Sequence, residues 1–197
     1  MNFLPVAKAR KSIRSYSEKP VGRDLLHRCV EAASLAPSAC NSQPWHFVIV
    51  DDPVLKDKVS KETFDPVVSF NKFTLEAPVM IAVLAKPSKL SAQVGDVLRK
   101  TRFNIIDVSM AAEHFCLQAA SEGLGTCMLG WFNERRVKQI LQIPKHLKVV
   151  MLISAGYPKK DGTGKKHKKT VFEIASINRY GNPFSAGKAE IHEKNSE

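Results

Sequence analysis

A chain of 197 residues has room for one substantial core and little room for two, since single domains commonly run to ~100–200 residues. Apolar residues make up 44% and charged residues 25%, which excludes disordered and collagen-like chains, and the longest nearly apolar runs, Pro78 to Ala85 and Val149 to Ala155, fall short of the ~18 residues of a membrane-spanning helix. Thirty Lys plus Arg against 19 Asp plus Glu leave a net charge of +11, which favours an anionic partner without choosing among nucleic acid, lipid and phosphorylated ligands.

Asn2 to Lys11 fits a short helix that brings Arg10 and Lys11 to its end. Its interspersed charges interrupt the apolar core of a secretory signal, so the cytoplasm is the expected compartment. From Arg23 to Ala36, Leu25, Leu26, Cys29, Val30 and Ala33 recur at helical spacing, and Pro37 stops the run. His46 to Val50 reads as a strand, followed by a turn at Asp51 to Pro53 and a helix over Val54 to Lys61. Pro78 to Ala85 predicts a second, central strand, and Pro87 to Gly95 a loop.

Arg102 to Ser121 carries Phe103, Ile106, Met110, His114 and Leu117 at helical spacing, with alanines on its other faces. A helix apolar over most of its circumference is expected in a core or a dimer seam, buried on more than one side. Gly123 and Gly125 end it, Thr126 to Leu129 is a short strand, Glu134 to Leu141 a helix, and His146 to Ala155 a third strand closed by Gly156 to Pro158. The irregular alternation fits a mixed α/β sandwich of open strand order. Lys159 to Lys169 is basic and glycine-punctuated, and Ser185 to Glu197 is polar enough for an extended arm. Cys29, Cys40, Cys116 and Cys127 form neither a CxxC pair nor a Cys/His cluster, so packing thiols are expected rather than a metal site or redox dithiol.

Three clusters carry chemistry. Arg10, Lys11, Ser12 and Arg14 put three cations and a hydroxyl within five residues, enough to surround a phosphate, or else to form a solvated basic patch. Ala36 to Trp45, APSACNSQPW, can set backbone N–H groups, Ser38 and the Asn41 amide against the edge of a flat heteroaromatic ring, or simply connect helix to strand. Gly123 to Gly130, GLGTCMLG, fails both the dinucleotide fingerprint and the P-loop, because Trp131 and Phe132 stand where a P-loop needs Lys and Ser or Thr. It leaves a close backbone approach to something flat, or a tight turn.

Together, RKSIRSY, APSACNSQPWHFVIV, GLGTCMLGWF, GYP and the basic run before TVFE resemble the FMN-dependent nitroreductase family, in the right order over about Ala9 to Phe172. APSxxNSQPW is the most specific of these motifs. The resemblance implies an α+β fold, a three-layer α/β/α sandwich whose mostly antiparallel sheet is flanked by helices, with an extended C-terminal arm. It implies one FMN-binding domain over 1–197, with 186–197 as arm or flexible tail. It further implies a homodimer with two FMN sites at the subunit interface, NADH or NADPH as reductant, a small flat acceptor such as a nitroaromatic or quinone in the same pocket, and ping-pong kinetics.

By motif position, Arg10, Lys11, Ser12 and Arg14 would grip the phosphate and ribityl chain. Pro37, Ser38, Ala39 and Asn41 would line the flavin from the partner subunit. Asn71 would meet the pyrimidine end of the ring, Leu129 and Gly130 would offer backbone groups near N5, and Lys166 and Lys168 would complete phosphate binding, with Lys165 or Lys169 as substitutes after a one-residue slip. Lys11 replaces an arginine common in the family and loses its fork while keeping the charge. Met128 and Trp131 depart from the usual tryptophan-then-small pattern, which alters the acceptor pocket.

Since the flavin carries the chemistry, no catalytic side chain and no metal is expected. Glu113 and His114 look like a dyad, but the apolar stripe around them favours a core or interface histidine. Trp45 and His46 read as structural. A basic nucleic-acid-binding module would need stacking aromatics interleaved with the cations, and the aromatics here stand mostly in apolar runs, so neither nucleic acid nor membrane is an expected partner. A flavin enzyme of the same fold for a dedicated metabolite, dehydrogenase or dehalogenase-like, would share every motif.

Overall fold

The computed structural model describes residues 3–87, 102–159 and 168–184, and the chain divides into two units, Met1–Gly162 and Thr163–Glu197. Strand β2 (Val79–Ala85) decides the architecture of the first. All seven of its residues are buried. Successive side chains leave a strand on opposite faces, so Val79, Ile81, Val83 and Ala85 enter one core while Met80, Ala82 and Leu84 enter another. A sheet apolar on both faces needs helices on both, which makes three layers.

Strands β1 (Trp45–Val50), β3 (Gly125–Leu129) and β4 (Lys148–Gly156) complete a four-stranded sheet in the order β1-β2-β4-β3, every neighbouring pair antiparallel. Helix α1 (Leu4–Ala9) precedes it. On one face, α2 (Arg23–Ser34) contributes Leu26, Cys29 and Ala33, and α4 (Phe103–Ser121) contributes Val108, Ala111, Ala112, Phe115 and Cys116. Phe115 stacks on Phe47 of β1 with ring centroids 5.8 Å apart. On the other face, α3 (Pro53–Lys61) and α5 (Glu134–Ile140) deliver Val59 and Val137 to the core of Met80, Leu84, Leu129 and Leu152. No helix among the described residues is long and apolar enough to cross a membrane.

The expected elements are all present within a few residues, the largest trimming being α1, which stops at Ala9. Two short 3₁₀ turns, Ala39–Asn41 and Lys72–Leu75, have no apolar period to announce them. The loop expected after Pro87, most of Lys159 to Lys169, and the arm from Ser185 lie outside the described residues. In the second unit, Thr170 and Glu173 form a capping box at α6 (Val171–Ile174), with Thr170 N–H donating to Glu173 Oε2 at 2.7 Å.

The N-terminal segment is stitched to the sheet edge. Ser12 bridges Thr126 in parallel, and Ile13 N–H donates to Thr126 O at 2.9 Å. Tyr16, buried, donates to Ile13 O at 2.8 Å and shares a hydrogen bond with Ser154 Oγ at 2.8 Å, while burial holds its phenol well above the ordinary range. The contact needs Gly125, where a Cβ would lie 2.5 Å from Ile13 Cγ1 and 2.7 Å from Ile13 Cβ.

Gly125→Ala is therefore expected to destabilise the fold by about 1–3 kcal/mol in urea unfolding, as overpacking does, and Ile13→Ala in the same chain should recover part of that loss. Cys29 and Cys116 are buried, and burial pushes both thiols up to about 12. A native-state thiol titration at neutral pH should modify exposed Cys40 quickly and release the buried Cys29, Cys116 and Cys127 only on unfolding.

Candidate functional site

Helix α1 ends at Arg10, whose backbone turns extended (ψ 115°) and carries the chain along β3. Arg10 and Lys11 line a cavity of about 150 Å³ together with Ile13, Gly125, Thr126 and Pro158, and among the described residues no carboxylate lines it. Arg10 Nε forms an ion pair with Glu113 Oε1 of α4 at 3.1 Å. Arg14 turns the other way, its guanidinium carbon 5.9 Å from the centroid of the Phe73 ring, a cation–π contact. The basic cluster thus spreads over two places, with Ser12 between them on the edge of β3.

The Pro37–Asn41 loop is anchored to the same helix. Asp107 of α4, 2% exposed, accepts the Ala39 N–H through Oδ2 at 3.1 Å. Ser38 Oγ accepts from Gln43 N–H at 3.0 Å, and Asn41 Oδ1 accepts from Gln43 Nε2 at 2.8 Å. Cys40 (φ 51°), Asn41 (φ 50°) and Gln43 (φ 46°) all occupy the left-handed region, a concentration of strain that non-glycine residues show mainly at functional sites. Beside them the buried Ser42 hydroxyl has no hydrogen-bond partner among the described residues.

Asn71 is 4% exposed, and its Nδ2 donates to Thr63 O at 3.1 Å and Trp131 O at 3.4 Å. Both amide hydrogens are thereby committed to carbonyls, which leaves Oδ1 as an acceptor. Behind it the hydroxyls of Thr63 and Thr74 lie 3.0 Å apart, and Thr74 Oγ1 donates to Asn71 O at 2.9 Å. Leu129 is buried at the end of β3, so only its backbone is on offer. At Gly130 a Cβ would meet nothing within 4 Å, so the chain's own packing does not demand glycine there. Gly123, by contrast, is a turn residue (φ 77°), and Gly125 serves Ile13.

The structure thus brings Arg10, Lys11 and Ser12 to the flank of β3, ties Ala39 to α4, and joins Asn71 to the segment after Gly130. Lys168 is an exposed residue of the second unit, and Lys166 lies outside the described residues. Glu113 and His114 are no dyad: Glu113 faces Arg10, and His114 Nδ1 lies 3.2 Å from Ala32 O, a carbonyl that requires the proton on that nitrogen. Sequence reading passed over Asp107, Thr63 and Thr74. A carboxylate inside the apolar run of α4 was the available signal for Asp107, because a buried charge demands a donor. Among the described residues no group of acidic, His or Cys side chains could hold a metal.

These residues fit FMN. Among the described residues the cavity supplies cations and no lining carboxylate for a phosphate, Gly130 leaves space for a flat ring to approach the backbone, and the Ser42 hydroxyl in the strained loop has no partner.

The sequence model described as "Nitroreductase family" matches residues 7–157. A relative from Archaeoglobus fulgidus, whose provisional name pairs NADH dehydrogenase with NAD(P)H nitroreductase, is 36% identical over 160 residues, covering 79% of this chain and 85% of that protein. Two solved structures share the fold. A nitroreductase family protein of Clostridium novyi NT has TM-score 0.72 and 33% identity over 93% of this chain and 97% of its own. The other, titled FMN-dependent nitroreductase, from Clostridium difficile R20291, has TM-score 0.72 and 25% identity over 90% of this chain and 99% of its own. The antiparallel three-layer sandwich is therefore the fold the sequence motifs implied, and the chain belongs to the nitroreductase family.

Proposed function

We propose that this protein is an FMN-dependent NAD(P)H oxidoreductase that works as a homodimer with two interfacial active sites and reduces flat acceptors of the nitroaromatic or quinone type. The observation that carries the reading is the cationic cavity of Arg10 and Lys11 beside β3, the strand whose far end opens at Gly130. When bound, FMN supplies the redox chemistry, taking electrons from a nicotinamide and passing them to the acceptor.

The chain's own work is to bind, orient and tune. Arg10, Lys11 and Ser12 hold the phosphate and the adjoining ribityl chain. The resemblance alone carries Lys166 and Lys168 to the phosphate. Arg14, held by Phe73, and the Asn71 oxygen address the pyrimidine edge of the ring, where the guanidinium favours negative charge as it develops. The Leu129 and Gly130 backbone lies under the reactive edge, and Pro37, Ser38, Ala39 and Asn41 reach the flavin of the partner subunit. The dimer gains support from large apolar side chains left exposed in both units, Phe3, Leu35 and Ile106 in the first and Phe172, Ile174 and Tyr180 in the second. Four unpaired thiols suit a reducing compartment, the cytoplasm.

Purified protein loaded with FMN should show a flavin absorption band that bleaches on anaerobic titration with NADH or NADPH, and initial-rate plots with both substrates varied should give parallel lines. Protein that retains no flavin after dialysis against FMN overturns the reading. Arg10→Ala and Lys168→Ala should each weaken FMN binding by ~1.5–3 kcal/mol, the range for hydrogen bonds to charged groups, as measured by equilibrium dialysis. Cys40→Ala should keep its turnover number, since the thiol has no part in the chemistry.

A further inference from the structure

Helix α1 is six residues long and buries none of them, so its own packing does little to fix the residue at its end. That residue is Arg10. Its side chain is nevertheless only 22% exposed, and its guanidinium is met by Glu113 from α4, a helix locked into the core by Val108, Ala111, Ala112, Phe115 and Cys116. The closest approach of the ion pair is at Nε, 3.1 Å from Glu113 Oε1, and Arg10 has no other ion pair and no side-chain hydrogen bond among the described residues. Its two terminal nitrogens form the fork that recognises a phosphate in bidentate fashion.

From this geometry we infer that Glu113 is a positioning residue for the phosphate site, a carboxylate that holds Arg10 with its fork presented before the anion arrives. The inference rests on the FMN reading above. An arginine loses rotamer freedom when it binds a ligand, and one already ordered loses less on binding. Glu113 also carries a negative charge that opposes a phosphate, and the balance decides the sign. Its side chain is 43% exposed, so its charge is screened by water, and the guanidinium it holds neutralises part of what remains. Ordering of Arg10 is therefore the larger effect, and removing the Glu113 charge should weaken FMN binding.

The test uses full-length protein stripped of flavin and titrated with FMN and with riboflavin, which lacks the phosphate, following quenching of flavin fluorescence. Glu113→Gln should lower FMN affinity about three- to tenfold and leave riboflavin affinity unchanged, which also shows that the variant is folded. Glu113→Asp, which keeps the charge, should restore most of the preference for FMN. In an Arg10→Ala background the Glu113→Gln effect should vanish, because the carboxylate acts only through that arginine. FMN affinity that stays the same or rises in Glu113→Gln, or a parallel loss for riboflavin, overturns the inference. Wild-type protein that binds neither flavin defeats the FMN reading itself, a different result.

Discussion

The close approach of Ile13 to Gly125 is the contact on which the site depends. A side chain at Gly125 would overlap three carbons of Ile13, so only glycine lets the N-terminal segment lie against β3 and form the Ser12–Thr126 bridge. Without that bridge the cations at Arg10 and Lys11 would belong to a loose terminus. With it they line a cavity beside the strand that ends at Gly130. Tyr16 secures the far end of the same segment to Ser154 of β4, so both ends of the basic run are tied to the sheet.

Helix α4 has two tasks that its apolar character conceals. Most of its length fills the core between α2 and the sheet. Two carboxylates interrupt that pattern, Asp107 at the Ala39 N–H and Glu113 at Arg10. Six residues apart, they stand about 9 Å apart along the axis at 1.5 Å per residue. One rigid element thus sets the positions of the strained loop and of Arg10, the arginine of the proposed phosphate site. In the proposed dimer these serve different flavins, so α4 relates the two half-sites of each protomer through a well-packed core rather than through surface loops.

The fold was legible because its elements obey simple periods. Leu26, Cys29 and Ala33 recur at helical spacing, and the run from Val79 to Ala85 is apolar without alternation, as a strand buried on both faces must be. Strand order was not legible, since β2 and β4 pair across more than sixty residues and no local pattern encodes that partner. The site was readable as motifs but not as geometry. Nothing in ARKSIRSY says that Arg10 and Arg14 part company, one toward Glu113 and the other toward Phe73. Glycines of similar look in GLGTCMLG differ in role: Gly123 turns the chain at positive φ, Gly125 admits Ile13, and Gly130 has neither a positive φ nor a close neighbour to require it. Composition cannot separate these roles, because the demand at Gly125 comes from Ile13, a neighbour remote in sequence.

The loop before β1 shows which part of the site the chain maintains against its own preference. Three non-glycine residues in the left-handed region cost on the order of 1–3 kcal/mol each, and Cys40, Asn41 and Gln43 are all exposed, so burial does not offset that cost. Local hydrogen bonds do part of it: Asp107 at Ala39, Ser38 Oγ at Gln43 N–H, and the Asn41 side chain at Gln43 Nε2. The two bonds at Gln43 are exposed and define a shape more than they stabilise the fold, since each could be exchanged for water at small net loss, whereas the Ala39 N–H answers the buried Asp107 carboxylate. A glycine at position 40 would relieve strain but free the loop to adopt other conformations and raise the entropy lost on binding. Strain that is retained together with a buried, partnerless Ser42 hydroxyl is understandable if the loop's stable state includes what it binds, with the remaining hydrogen bond and apolar contact supplied by cofactor and partner subunit.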